Sequence, residues 1–173
     1  PNIALATGVG AINGAIAEAA AAHMSNAERR ELLDSLAPAA IINIAFDAPA
    51  ASSRPPTRIY LLGDATPFYF QPSVLYNTTW DAWPLAEGLR RNDQSLPTAI
   101  ADLRRQGVTH ILVNLDEIAR LHADGWADPL ITPELAQRVV TEGGSVVWRW
   151  SLAGGAGVFL VEISGAQSPD SMP

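Results

Sequence analysis

VTHILVN, residues 108–114, runs directly into NLDEIARLH, residues 114–122, and this junction decides how the chain folds. The first stretch is apolar, rich in β-branched residues and preceded by Gly107, as a buried strand requires. Asn114 and Glu117 then stand at the spacing of a capping box, in which side chains satisfy the orphan amides of a helix's first turn. A buried strand that delivers the chain straight into a helix is the repeating unit of a parallel α/β sheet.

The same grammar extends outward in both directions. Toward the C-terminus, Thr132-Pro133-Glu134 marks a helix start, Leu135, Val139 and Val140 its inner face, and Gly143-Gly144 its end. SVVWRW (145–150) and GVFLVEI (157–163), separated by a glycine-rich loop, read as an antiparallel hairpin. Residues 166–173 are a polar tail. Toward the N-terminus, SLPTAIADLRRQG (95–107) is a helix with Ser95 as N-cap, Pro97 in the first turn and Gly107 as its stop. TWDAWPLAEGLRR (79–91) is a short helix or loop, residues 73–79 a candidate strand, and RIYLLG (58–63) a buried strand. The expected fold is therefore α/β: three layers around a mostly parallel sheet of about five strands, with a C-terminal antiparallel hairpin and right-handed crossovers.

Upstream of residue 58 the pattern changes. Residues 1–57 are an Ala-rich helical arm followed by a linker, DAPAASSRPPT (47–57). Ser25 and Glu28 have capping-box spacing, and Pro38 is expected to end the helix that follows. Ile41, Ile42, Ile44 and Phe46 suit a strand or a helix equally. Residues 3–22 are nearly uncharged and contain Gly10 and Gly14 in a G-x-x-x-G, but alanine and glycine dominate where large apolar residues would be needed for a membrane span. Residues 1–24 are expected to lie against a membrane or against protein. The chain starts at Pro1 without an initiator methionine, which suggests processing, a cut or a fragment.

Composition removes several chemistries. There is no cysteine and no lysine among the 173 residues. Disulfides, thiolate nucleophiles, cysteine-ligated metals, Schiff-base lysines and the P-loop lysine are all excluded. Eleven arginines against 18 Asp and Glu leave a net charge of -7, which opposes general nucleic-acid binding through phosphate neutralisation. The 48% hydrophobic content is inflated by 29 alanines.

In a parallel sheet, ligands sit beyond the carboxyl ends of the strands. LLGDATPFYF (61–70) offers one glycine, Gly63, followed by Asp64 and Pro67, and lacks the glycines that a dinucleotide's phosphates need. Asp116 and Glu117 at the exit of 108–114 have the chemistry to hold a divalent cation or act as acid and base, with His110 and His122 nearby; the plainer reading is helix capping and dipole compensation. No histidine pair has zinc spacing and no G-x-S-x-G elbow occurs. Asn77-Thr78-Thr79 is an N-glycosylation sequon. Trp80, Trp83, Trp126 and Tyr69 are the candidate partner-binding residues, since aromatic side chains anchor protein and sugar contacts. No catalytic residue, cofactor or metal is assigned.

RIYLLGDATPFYF, VLYNTTWDAWPL, LRRQGVTHILVNLDEIARL and TPELAQRVV, within residues 58–140, resemble the soluble C-terminal region of bacterial polytopic membrane glycosyltransferases of the dolichyl-phosphate-mannose-protein mannosyltransferase-like kind. In those proteins the catalytic carboxylates and lipid-donor pocket lie in the membrane part. The resemblance therefore implies an extracytoplasmic, periplasmic-side domain peripheral to a membrane, and transfers no catalytic residue to it. Three functions follow as expectations. One is a non-catalytic interaction or stabilising domain, or accessory subunit, docking on a membrane-protein assembly. The second is an acceptor- or carbohydrate-contacting domain of a glycosyltransferase. The third is a small carboxylate- or metal-dependent enzyme.

Overall fold

A computed structural model describes residues 38–46, 56–150 and 155–163. The chain divides into two units, Pro1–Ala48 and Pro49–Pro173. In the first unit the described part is one helix, α1 (Pro38–Phe46). Pro38 is helical here, and whether a preceding helix ends at it, as the sequence suggests, lies outside the described residues. The apolar run at 41–46, open between strand and helix in the sequence, is helical. The expected helix after Ser25, the G-x-x-x-G stretch, most of the linker and the tail lie outside the described residues.

The second unit is an α/β domain. Its elements are β1 (Arg58–Leu62), a 3-10 turn (Pro67–Tyr69), β2 (Ser73–Leu75), α2 (Pro84–Arg91), α3 (Leu96–Arg105), β3 (His110–Asn114), α4 (Leu115–Ala123), α5 (Pro133–Glu142), β4 (Ser145–Trp150) and β5 (Val158–Glu162). The five strands form one sheet in the order β2-β1-β3-β5-β4. β1 pairs in parallel with β2 and β3, while β5 pairs antiparallel with β3 and β4. The sheet is thus mixed, and the expected hairpin closes it.

Local sequence accounts for the element ends. Asn114 Oδ1 accepts from the Glu117 amide at 3.1 Å, and Thr132 Oγ1 from the Leu135 amide at 3.2 Å. Both caps stand where the sequence puts them. Glu117, however, does not reach back to complete a box; its carboxylate turns to Arg120. Gly107 follows α3 at φ +82, a left-handed turn that suits glycine.

Topology sets which face is covered. The chain passes from β2 to β3 through α2 and α3, and from β3 to β4 through α4 and α5, advancing the same way across the sheet each time. Right-handed crossovers that advance in one direction place their helices on one face. The core agrees: Tyr60, Leu62, Ile111, Val113 and Val161 share a cluster with Leu85, Leu89, Ile100, Leu103, Ile118 and Val139. Their strand neighbours Ile59, Leu61, Leu112, Val158 and Leu160 alternate onto the opposite face and are also buried. Among the described residues of this unit, none of the four helices lies on that second face, so they supply one helical layer.

Candidate functional site

β1, β2 and β3 are parallel, so their exits share one edge of the sheet. Each exit is a short built structure. After β1, Gly63 turns the chain at φ +82; a Cβ there would meet Ile118 Cγ1 at 2.6 Å and the Asn114 carbonyl at 2.9 Å, so glycine is required on both counts. Asp64 Oδ1 then accepts from the Thr66 amide at 2.8 Å and from the Thr66 hydroxyl at 2.5 Å, an Asx turn that leads into the 3-10 turn. This turn carries Phe68, 92% exposed, and Tyr69, also exposed.

After β2, Asp81 Oδ2 accepts from the Thr78 amide at 2.9 Å and the Thr78 hydroxyl at 2.7 Å. Those hydrogen bonds hold the Asp81 carboxyl below its ordinary range. The turn they fix carries Trp80 at 95% exposure. Three residues on, Trp83 is 3% exposed and belongs to the core cluster. The sequence groups Trp80 and Trp83 as candidate contacts; the fold separates them. Pro84 opens α2 immediately after Trp83, which directs that ring inward as the helix docks.

After β3, the acidic residues have structural partners. Asp116 accepts from the Ala156 amide at 2.8 Å and the Gly157 amide at 3.0 Å, tying the β4–β5 loop to the start of α4. Glu117 makes a two-pronged ion pair with Arg120 at 2.6 and 2.8 Å, and Arg120 reaches Asp124 at 2.9 Å. The same guanidinium lies 5.8 Å from the ring centre of Trp126, which is itself exposed. Among the described residues no group of three or more His, Asp or Glu is arranged to hold a metal. His110 is buried at the opposite end of β3, with Nδ1 2.8 Å from the Thr109 hydroxyl.

Asn77 is 7% exposed, and its Oδ1 accepts from the Tyr60 hydroxyl at 3.2 Å. Burial raises the Tyr60 phenol well above its ordinary value, so it stays a donor. The sequon asparagine is therefore buried in the folded domain, with its amide nitrogen donating to the Thr78 carbonyl at 3.3 Å.

Sequence reasoning missed Phe68 as a candidate contact. The signal was present: it lies within a proline-opened 3-10 turn that follows an Asx turn, and such segments run over the surface. The arrangement at this edge presents aromatic side chains on hydrogen-bonded turns. Comparison with known proteins gives no match: no family model, no curated protein and no solved structure aligns with this chain.

Proposed function

We propose that residues 56–163 are a non-catalytic interaction domain that docks on a membrane-protein assembly from its extracytoplasmic side. The observation that carries this reading is the exposure of Phe68 and Trp80 on rigid turns at one edge of the sheet. A nearly fully exposed tryptophan is costly to hydrate and is the residue type most enriched in interface anchors. The occupation of Asp116 by backbone amides and of Glu117 by Arg120 supports a positioning role for these carboxylates. The resemblance of 58–140 to extracytoplasmic regions of membrane transferases supplies the location. Among the described residues no helix is long and apolar enough to cross a membrane. A three-layer arrangement is part of this reading: Ile59, Leu61, Leu112, Val158 and Leu160 are the floor for a second helical layer.

The test is the hydrodynamic size of the chain in gentle detergent extracts of its native membranes. Wild type is expected to migrate with a large membrane-protein assembly. The paired substitutions Phe68→Ala and Trp80→Ala are expected to release it without lowering its melting temperature. A monodisperse, monomeric wild type in those extracts discards the proposal.

A carbohydrate-contacting role is the second reading. Trp80 is flanked by the Thr78 hydroxyl and the Asp81 carboxylate, an aromatic face beside polar groups of the sort that sugars use. Saturable binding in a glycan panel, lost on Trp80→Ala, favours it; a flat titration removes it.

A further inference from the structure

The geometry points to β4 as a self-pairing edge, at which a second copy of this chain adds antiparallel about a two-fold axis between Val147 and Trp148. This inference is independent of the aromatic edge described above. β4 is the terminal strand of the sheet and is bonded to β5 alone among the described strands. The opposite terminal strand, β2, is short, three residues led by Pro72, which is a common way to blunt an edge. β4 instead has six residues, SVVWRW, without proline or glycine and with one charge. Val146 and Val147 are 45% and 49% exposed, and Arg149 is exposed as well. A terminal strand of this length and composition is a template for another strand.

Register identifies the occupant. Opposed residues on paired strands must share a face. Val146 lies opposite Val161 and Arg149 opposite Phe159, on the side of the sheet that carries the helices. Ser145, Trp148 and Trp150 lie opposite Glu162, Leu160 and Val158, on the other side. The irregularity between Val146 and Trp148 brings Val146 and Arg149 onto one face although they are an odd number of residues apart. A second copy centred between Val147 and Trp148 pairs Ser145 with Trp150, Val146 with Arg149 and Val147 with Trp148. Every residue of the strand is used, both flanking pairs match in face, and each bulge is opposed by the other copy's bulge. Sliding by one residue sets Val146 against Trp148 or Trp150, which belong to the other face. Sliding by three sets Arg149 against Arg149, a repulsive pair. The strand is therefore complementary to itself in one full-length register, as a closed two-fold interface requires.

Sedimentation of the full chain over a micromolar concentration range tests this. Wild type is expected to associate to a dimer, and Val147→Lys to weaken association on the order of tenfold or more by placing charge at the dyad. Because the chain has no cysteine, register is read by cross-linking. Val146→Cys and Arg149→Cys, made as separate proteins, are expected to form a mixed disulfide rapidly when combined under mild oxidation, and each alone to self-link far more slowly. These exposed positions also decide the matter if Val147→Lys fails to fold. A wild type that stays monomeric, a dimer indifferent to Val147→Lys, or single variants that self-link as fast as the mixture would each overturn the inference.

Discussion

Trp80 and Trp83 are three residues apart and have opposite fates. Trp83→Ala removes a core ring and is expected to cost about 3–5 kcal/mol, read as a lower urea midpoint. Trp80→Ala removes a ring that packs on almost nothing and is expected to change stability by less than about 0.5 kcal/mol. Trp83→Ala is accordingly no probe of glycan or partner binding, because lost binding would report lost packing. The turns were legible in the sequence as polar and proline-containing segments. Which tryptophan faces inward was not, since one lies in the turn and the other just after it, and the docking of α2 decides it. Asn77 makes the same point: its sequon is a local pattern, but Tyr60 is 17 residues away and buries it.

At the scale of elements, close approach controls how β1, α3 and α4 are joined. Gly63 and Gly107 share φ +82, but only Gly63 faces crowded neighbours. Gly107→Ala is expected to cost about 1–2 kcal/mol for the left-handed backbone alone. Gly63→Ala adds overpacking against Ile118 of about 1–3 kcal/mol, so the difference between their unfolding free energies isolates the packing term. Asp116 joins α4 to the β4–β5 loop through two backbone amides. Asp116→Ala leaves those amides to find water and is expected to cost about 1–3 kcal/mol, with faster hydrogen exchange confined to the loop amides around Gly157. Unchanged exchange there would show that the clamp does not order the loop. Asp102 links α2 to α3 in a similar manner, accepting from Asn92 at 2.9 Å and from Arg105. The Asn92 hydrogen bond, followed by the arginine charges, keeps its carboxyl below the ordinary range. The caps of α4 and α5 were legible because they are local; these cross-ties span elements and carry no spacing signature.

For the whole molecule, pH should reveal the buried end of β3. Burial lowers the His110 pKa from its ordinary 6.5, and the Glu162 carboxylate across the β3–β5 ladder opposes that effect. The folded state thus binds the imidazole proton less readily than the unfolded chain. Stability contributed by neutral His110 is complete above pH 6.5 and is lost as pH falls from there through the lowered value. Chemical denaturation of wild type across that window is expected to show a falling midpoint, and His110→Gln a flatter profile. Equal slopes would assign the acid sensitivity of that window to other groups; the contribution of the Asp102 carboxylate is lost separately, only as pH falls below the ordinary carboxylate range.

The chain's own sequence determined what is local: the strand that ends at Asn114, though it begins at His110 and not at Val108, the caps at Asn114 and Thr132, the glycine stops and the terminal hairpin. It determined these because residues a few positions apart satisfy each other's backbone groups. Only the tertiary structure decided the rest. Placing β5 beside β3 made the sheet mixed, and the common direction of two crossovers put four helices on one face. Helix docking sorted the tryptophans into core and surface. Asp116 and Glu117, adjacent at a strand exit where a cation site is chemically conceivable, were taken up by loop amides and by Arg120. The loop amides come from 40 residues further along the chain, a separation at which spacing carries no information.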